Sequence, residues 1–201
     1  MTFALIDYGA GNLTSVRKAF SAIGVETMTP RTPAELDACA GIVIPGVGNF
    51  RAVSALGDEW RGAVLGRVAA GVPLLGICLG MQLLYEGSDE APGVPGLGLL
   101  AGRCERIQVE RPLKVPHVGW NSLSLEGRRT ILSGVNDGTY VYFTHSYAAP
   151  VSTDTAAVTT HGTRFAAAVE RDHVWGVQFH PEKSGDTGLR ILRNFVERAR
   201  R

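Results

Sequence analysis

A cysteine stands at the centre of a short, glycine-flanked segment with the pattern of a nucleophile. Residues 76–80 read Gly-Ile-Cys-Leu-Gly and overlap the apolar run 73–77, which predicts a strand buried on both faces. The pattern is typical of a nucleophile elbow, with cysteine in place of serine. The elbow would present Cys78 at the carboxyl end of a sheet and the start of a helix, where backbone amides favour a thiolate. A buried structural cysteine is the alternative, but strand, elbow and helix agree, so we predict that Cys78 is a nucleophile.

A nucleophilic cysteine needs a base within hydrogen-bond reach, and that base must be oriented by a third group. Among the five histidines, His180 is the best placed, because it follows the strand-like segment 174–179. Glu182 can fold back onto the imidazole and fix its tautomer. The His-Pro-Glu segment alone is more often an ordinary turn, but together with the cysteine elbow it predicts a Cys78, His180 and Glu182 triad. A metal site of these residues is the weaker alternative, since no other residues show ligand spacing; we predict no metal and no cofactor.

Acyl transfer also requires N–H groups directed at the developing oxyanion. Pro45-Gly46-Val47-Gly48 follows the strand-like segment 41–44, and its two glycines can turn an N–H into the site without steric cost. We therefore expect the amides of Val47 and Leu79 to form an oxyanion hole. A plain turn between strand and loop is the alternative, which spacing alone does not exclude.

The elements that must position these residues alternate between strand and helix in the first half of the chain. Apolar runs predict strands at 3–6, 25–29, 41–44 and 73–77, and helical spacing predicts helices at 13–23, 59–70 and 80–85. Such alternation indicates an α/β fold, with a parallel sheet covered by helices. Short β-type segments follow near 107 and at 118–123, 140–143, 156–160, 166–169 and 174–179, before an amphipathic helix at 189–199.

The composition is that of a globular protein, and we expect one domain over residues 1–201. Hydrophobic residues make up 45% and charged residues 19% of the chain. The formal net charge of +1 gives no electrostatic footprint for nucleic acid. No long apolar run predicts a membrane span, and the amino terminus lacks the features of a signal peptide. Three scattered cysteines argue against a disulfide framework and fit a reducing cytoplasm.

Taken together, these segments resemble the class I, or triad-type, glutamine amidotransferases. The signatures of that family are matched by Gly-Ile-Cys-Leu-Gly-Met-Gln-Leu-Leu at 76–84, Pro-Gly-Val-Gly at 45–48 and His-Pro-Glu at 180–182. Within the family, four further segments are similar to the glutaminase subunits of imidazole glycerol phosphate synthases, which act in histidine biosynthesis: 7–13, 116–121, 142–147 and 181–184. The resemblance runs from end to end of the chain.

The resemblance implies a flavodoxin-like open sheet, mixed or parallel, flanked by helices, with added antiparallel strands in the second half. It implies that glutamine is split to glutamate and ammonia through a γ-glutamyl thioester on Cys78. Ammonia would pass to a (β/α)₈-barrel cyclase subunit, the heterodimer partner, which makes imidazole glycerol phosphate and an aminoimidazole carboxamide ribonucleotide. A dry route keeps ammonia unprotonated. The implied glutamine-binding residues are Gly46, Gly48, Gln82, Ser146 and Tyr147, and the implied partner-facing residues are Asn12, Trp120, Tyr142 and Lys183.

Several alternatives stay open. Another class I amidotransferase, of the pyridoxal-phosphate or anthranilate type, is disfavoured by Pro-His-Val-Gly-Trp-Asn at 116–121. A stand-alone Cys-His-Glu peptidase or γ-glutamyl hydrolase would be fully active without a partner, and an idle binding module has no need of an intact triad. Without the resemblance, Trp120 and Tyr142 are equally consistent with sheet core, and Lys183 with a solvated charge. Rotation of the Val47 peptide on complex formation is a further hypothesis.

Overall fold

Thirteen strands and four α-helices form within residues 1–127 and 130–200, the part of the chain that this computed structural model describes. The strands are β1 (Thr2–Leu5), β2 (Glu26–Met28), β3 (Gly41–Gly46), β4 (Leu74–Cys78), β5 (Gly87–Ser88), β6 (Arg103–Arg106), β7 (His117–Ser122), β8 (Ser124–Leu125), β9 (Tyr140–His145), β10 (Tyr147–Ala148), β11 (Thr155–His161), β12 (Thr163–Arg171) and β13 (Val174–Val177). The α-helices are α1 (Leu13–Ala22), α2 (Asp58–Ala69), α3 (Leu79–Leu83) and α4 (Gly185–Arg198), and short 3₁₀ turns lie at Pro33–Ala38, Phe50–Ala55 and Pro181–Lys183.

A central sheet contains eight of these strands in the order β2-β1-β3-β4-β13-β12-β11-β8. The first five are parallel to one another, and β12, β11 and β8 continue the sheet in antiparallel pairs. The parallel part has the flavodoxin-like strand order, in which ligands bind outside the carboxyl ends of the strands. The predicted fold class is therefore confirmed, including the added antiparallel strands. Two smaller sheets, β10-β6-β5 and β7-β9, lie outside the central one.

Helices cover both faces of the parallel strands because successive side chains of a strand point to opposite faces. On one face, Phe20 of α1 and Phe195 of α4 belong to the same buried cluster as alternate residues of β1, β3 and β4. On the other face, Val64 and Val68 of α2 join the remaining residues of these strands. β4 is buried over its whole length, as its continuous apolar sequence predicts.

Several predicted boundaries differ from the structure. The segment predicted near Ile107 is a strand that ends one residue earlier, and the helix predicted at 80–85 is the shorter α3. The closing helix begins at Gly185 rather than near Leu189, because its first turn is polar and carries little of the apolar periodicity that marks the rest. None of the described helices is long and apolar enough to span a membrane.

The turn between β4 and α3 depends on its two glycines. Cys78 has φ 54° and ψ −108°, a conformation that is strained for any residue with a side chain. A Cβ atom on Gly76 would lie 2.5 Å from the carbonyl oxygen of Gly80, and a Cβ atom on Gly80 would overlap the carbonyl of Ile44. The absence of both side chains is what lets α3 begin directly against the ends of β3 and β4.

Replacing Gly80 with alanine should therefore destabilise the fold, by about 3 kcal/mol, because the added methyl group meets backbone that has no room to move. Gly62→Ala is the matched control, since Gly62 is exposed in α2 with nothing within 4 Å of the added atom. This control should raise the free energy of unfolding by about 0.5–1 kcal/mol. Urea denaturation of the two variants measures both effects, and equal stability of Gly80→Ala and the parent chain would contradict this account of the elbow.

Candidate active site

Cys78 lies in the wall of a cavity of about 280 Å³ at the carboxyl end of β4. This volume is near the lower end of the range for small-molecule sites, about 300–1,000 Å³, so the cavity suits a ligand of amino-acid size. The thiol of Cys78 is directed at the carbonyl oxygen of Thr144, at 3.8 Å, and Nε2 of Gln178 donates to the sulfur at 3.6 Å. The predicted nucleophile is thus buried but open to the cavity on one side.

His180 and Glu182 form a buried pair next to this sulfur. Nδ1 of His180 lies 2.8 Å from Oε1 of Glu182, and each side chain is only 1% exposed. Burial alone would lower the pKa of His180, but the adjacent Cys78 sulfur and the hydrogen-bonded Glu182 carboxylate raise it to about 9. Nε2 has no aligned hydrogen bond with any described residue, as is common before substrate binds. The structure therefore brings the three predicted residues together, with Nε2 left for the thiol.

No metal site competes with this arrangement among residues 1–127 and 130–200, where no three His, Cys, Asp or Glu side chains are grouped as ligands.

The oxyanion loop, the segment 45–48 that is expected to help form the oxyanion hole, differs from the predicted arrangement at Val47. The N–H of Val47 donates to the carbonyl oxygen of Ala10 at 2.8 Å, so it does not point into the cavity. This bond satisfies a buried backbone donor that would otherwise lack a partner. The N–H of Leu79 is different, because it belongs to the first turn of α3, where no intrahelical acceptor exists, and it bonds to no other described residue. Leu79 lines the cavity, so its N–H stays the predicted oxyanion donor.

Four of the five residues expected to bind glutamine line the cavity: Gly48, Gln82, Ser146 and Tyr147. Gly46 does not; it lies between the hydroxyl group of Tyr8 and the Cβ atom of Leu79, where any side chain would clash. Its contribution is to leave space for the oxyanion loop rather than to line the cavity.

The sequence analysis missed Glu90, which also lines the cavity. Its Oε2 accepts a hydrogen bond from the backbone N–H of Phe50 at 2.7 Å, which holds the carboxylate in place. Glu90 lies in a segment rich in glycine and proline, with no periodic pattern around it, so no local signal distinguishes it from a solvated surface acid.

The carbonyl oxygen of Tyr147 anchors the side chain of Gln82. Nε2 of Gln82 donates to this carbonyl at 2.8 Å and to Oε1 of Gln178 at 3.1 Å. Because a backbone carbonyl can only accept, the orientation of the Gln82 amide is fixed. Both hydrogens on Nε2 are used, and Oε1 of Gln82 bonds to none of the described residues, so it is left for a ligand in the cavity.

The same carbonyl also fixes a chain of buried histidines, another feature that the sequence analysis missed. His145 Nδ1 donates to Tyr147 O at 2.9 Å, so its Nε2 must accept, and it accepts from Nδ1 of His117 at 3.0 Å. Nε2 of His117 in turn accepts from Asn121 at 3.3 Å. With both rings neutral, each of these hydrogen bonds has one donor and one acceptor. Burial and neighbouring histidines, which outweigh the Tyr147 hydrogen bond, lower the pKa of His117 to about 4 and of His145 to about 3.

Three of the expected partner-facing residues meet on the outer face of β7 and β9. Trp120 is 55% exposed and packs edge-on against Tyr142, with ring centroids 6.2 Å apart. The ammonium group of Lys183 lies 5.4 Å from the centroid of the Tyr142 ring. The alternative that places Trp120 in the core is therefore wrong. Asn12 caps α1, with its side chain accepting from the N–H of Ser15 at 3.4 Å.

Comparisons with known proteins agree with the fold and with the family that the sequence resembles. The family model described as glutamine amidotransferase class-I matches residues 4–199. The chain is 50% identical to the imidazole glycerol phosphate synthase subunit HisH of Gloeobacter violaceus, over 98% of this chain and 89% of that protein. It is 47% identical to the subunit of the same name from Methanothermobacter thermautotrophicus, over 96% and 97% of the two chains.

Solved structures show the same fold at lower identity. A crystal structure of a glutamine amidotransferase is similar with a TM-score of 0.77 and 20% identity, over 98% of this chain and 99% of that one. PurLQS from Thermotoga maritima is similar with a TM-score of 0.75 and 18% identity, over 98% and 97% of the two chains.

The histidines predict a stability maximum near pH 6.5. His117 and His145 have pKa values below the ordinary 6.5 of histidine, so the unfolded chain binds more protons between about pH 6.5 and 4, and the free energy of unfolding falls as the pH falls through this window. His180 has a raised pKa, so its contribution is present below pH 6.5 and is lost as the pH rises toward 9. The melting temperature measured across pH 4–9 tests both the acid limb, where stability falls below pH 6.5, and the alkaline limb, where it falls above pH 6.5.

His117→Gln should flatten the acid limb, because glutamine keeps a donor and an acceptor but does not titrate. His173→Gln is the matched control, since His173 lies outside the histidine chain and bonds to the carbonyl of Val68. An acid limb of unchanged slope in His117→Gln would show that this ring is not held neutral.

Proposed function

We propose, since the chain belongs to the class I glutamine amidotransferase family, that it is the glutamine-hydrolysing subunit of an imidazole glycerol phosphate synthase. The observation that carries the proposal is the buried His180–Glu182 pair beside Cys78 in a cavity of amino-acid size. The 50% and 47% identities to proteins named as this subunit, over almost the whole chain, support the particular synthase.

The geometry suits hydrolysis through a thioester. The sulfur of Cys78 attacks the side-chain carbonyl carbon of glutamine, and the electron pair of the C=O bond moves to the oxygen. Glu182 keeps Nδ1 of His180 protonated, so Nε2 is the position that exchanges protons with the reactants. Nε2 takes the thiol proton during the attack and passes it to the amide nitrogen. As the C=O bond re-forms, the C–N bond breaks, ammonia leaves, and a γ-glutamyl thioester remains. Water then attacks the thioester with His180 as base, which releases glutamate and restores the thiol.

The oxyanion that forms in the attack needs both backbone donors. The N–H of Leu79 bonds to no other described residue and can serve as one donor, whereas that of Val47 must exchange its bond to Ala10 for a bond to the substrate oxygen. Gly48, at φ 97°, and the side-chain-free Gly46 permit rotation of the peptide between them. Loss of one oxyanion donor costs about 10²–10³ in rate, so the chain alone should be slow until partner binding favours the rotated peptide.

Charge and hydrogen-bond capacity in the cavity suit the rest of the glutamine molecule. The carboxylate of Glu90 is held by Phe50 N–H and can bind the α-ammonium group through a charge-assisted hydrogen bond. Oxygen Oε1 of Gln82 offers a second acceptor. Ser146 and Tyr147 also line the cavity and complete the binding surface, which leaves the carboxamide next to the sulfur.

The outer face of β7 and β9 is the proposed docking surface for a (β/α)₈-barrel cyclase subunit. Val118, Trp120 and Tyr140 are 57%, 55% and 59% exposed there, an unusual concentration of large apolar side chains. Aromatic residues of this kind dominate binding energy at protein interfaces. Thr144 of the same strand β9 lines the active-site cavity, so ammonia released there is next to the interface. The free thiols fit a reducing cytoplasm.

Cys78→Ala tests the chemistry. This variant should lose glutaminase activity completely, because no nucleophile remains, while its complex with the cyclase still turns over on added ammonium salt at high pH. Cys39→Ala, which removes a buried thiol outside the cavity, should retain glutaminase activity. The parent chain should hydrolyse glutamine at least about 100-fold faster with the cyclase and its nucleotide ligand than alone, since the second oxyanion donor is then in place. Equal, high activity of the isolated chain would favour a stand-alone hydrolase instead.

Trp120→Ala tests the docking surface. The variant should weaken the complex with the cyclase about 30-fold, roughly 2 kcal/mol, because it removes a central aromatic anchor. Isothermal titration calorimetry measures this change, and Val151→Ala, which truncates a 40% exposed side chain in another loop, is the control. The rate of alkylation of Cys78 by iodoacetamide should be the same in both variants. An unchanged dissociation constant for Trp120→Ala would exclude this face as the centre of the interface.

A further inference from the structure

Gln178 is a fully buried polar side chain with both ends inside the active site. It follows β13 and lies two residues before His180, and it has no exposed surface. Its Oε1 accepts from Gln82 Nε2 at 3.1 Å, and its Nε2 lies 3.6 Å from the sulfur of Cys78. The backbone N–H of Gln178 donates to the carbonyl of Ala167 in β12 at 2.8 Å, which fixes the backbone of Gln178 against that strand. Gln178 is not the nucleophile, the base or an oxyanion donor, so none of the roles proposed above belongs to it.

The orientation of the Gln178 amide follows from the Tyr147 carbonyl. That carbonyl can only accept, so Gln82 must present Nε2 to it, and the second hydrogen on Nε2 is then directed at Gln178. The atom of Gln178 that receives this hydrogen must be Oε1. The remaining amide atom, Nε2, therefore faces the sulfur as a donor, and the reversed orientation would place two donors against each other.

We propose that Gln178 is a positioning residue of the glutaminase reaction, which rests on the function proposed above. Its Nε2–H group stabilises the negative sulfur of Cys78 and holds it at the cavity wall. Its Oε1 accepts the second N–H of the Gln82 amide and so steadies the orientation that the Tyr147 carbonyl sets, with the Gln82 carbonyl facing the substrate. One buried side chain thus sets both the nucleophile and a substrate-binding group. It touches neither substrate nor the transferred proton.

The sulfur has different partners in its two protonation states. The neutral thiol can donate to the carbonyl of Thr144, but a thiolate is repelled by that oxygen and is favoured by donors. The donors near it are His180 and Gln178. His180 must change its protonation during the reaction, whereas the amide of Gln178 never titrates. Gln178 therefore supplies a constant share of the stabilisation of the thiolate.

Two substitutions separate the parts of this role. Gln178→Met has a similar length and removes both hydrogen bonds. Gln178→Glu keeps an acceptor for Gln82 but replaces the donor at the sulfur with a negative oxygen. Gln108→Glu is the matched control, because Gln108 is exposed and its side chain bonds only to the carbonyl of Arg106.

The primary readout is the pH dependence of alkylation of Cys78 by iodoacetamide, followed on the peptide that contains Cys78, in the full chain without a partner. Loss of one hydrogen bond to a charged group should move the midpoint of this profile up by about one pH unit in Gln178→Met. Gln178→Glu should move it further in the same direction. The titratable groups that face the sulfur or line its cavity are His180, Tyr8, His145, Tyr147 and Glu90, and all are retained in every variant.

In the complex with the cyclase, Gln178→Met should lower kcat for glutamine about tenfold and raise KM, since the sulfur loses its amide donor and the Gln82 amide loses one of its two anchors. Gln178→Glu should lower kcat with a smaller change in KM, because Gln82 keeps its acceptor. Ammonia-dependent turnover of the complex should be unaffected in both variants. A residue that only stabilises the fold would lower the melting temperature without moving the alkylation midpoint.

Each outcome decides between the two proposals. Alkylation midpoints that are unchanged in both folded variants would overturn the role of Gln178, whatever the glutaminase activity of the parent. If the parent complex lacks glutaminase activity while the midpoints shift as expected, the proposed function is wrong and the positioning of Cys78 by Gln178 stands. Should Gln178→Met fail to fold, the isosteric Gln178→Glu carries the test alone.

Discussion

The strained backbone at Cys78 is the constraint on which the rest of the site depends. A residue at φ 54° and ψ −108° costs about 1–3 kcal/mol and persists only when its surroundings determine it. Gly76 and Gly80 provide those surroundings by letting α3 begin directly against the ends of β3 and β4. The parallel register then places Gly46 opposite Cys78, and β13 on the other side delivers the chain that leads to His180. Nucleophile, oxyanion loop and base meet because three neighbouring parallel strands end at one edge.

The parallel half of the fold and the meeting of the triad are predictable from sequence because their signals are local. The glycines at fixed offsets from Cys78 and the apolar runs before Cys78 and His180 each mark a strand end, and the carboxyl ends of parallel strands share one edge. The direction of the Val47 N–H has no such signal. The Gly46–Val47 peptide follows a glycine, whose backbone has few steric limits, and its direction depends on the carbonyl of Ala10, which is distant in sequence.

The buried hydrogen-bond network is unpredictable for a related reason. Its bonds join Gln82 to Tyr147 and His117 to His145, pairs that are 65 and 28 residues apart, and each direction of donation is set by a single backbone carbonyl. Local sequence patterns do not reveal such distant partners, although they do reveal which strand residues alternate between the two faces of a sheet. The position of His117 and His145 on the inward side of β7 and β9 follows from the two-residue period that places Trp120 outside.

The relative size of two hydrogen bonds explains why Val47 rests in the arrangement seen here. Rotation breaks the bond to Ala10, worth about 0.5–1.5 kcal/mol net, and without substrate charge it gains nothing in return. An oxyanion donor is worth about 2.7–4 kcal/mol in the transition state, so rotation becomes favourable only as the reaction proceeds or when a partner binds the rotated form better. Strand β9, which belongs to the proposed docking surface, also holds His180 directly, because the carbonyl of Tyr142 accepts the N–H of His180 at 2.8 Å. A partner that shifts β9 therefore acts on the imidazole through one hydrogen bond, whereas its effect on Val47 requires a separate rearrangement near Ala10.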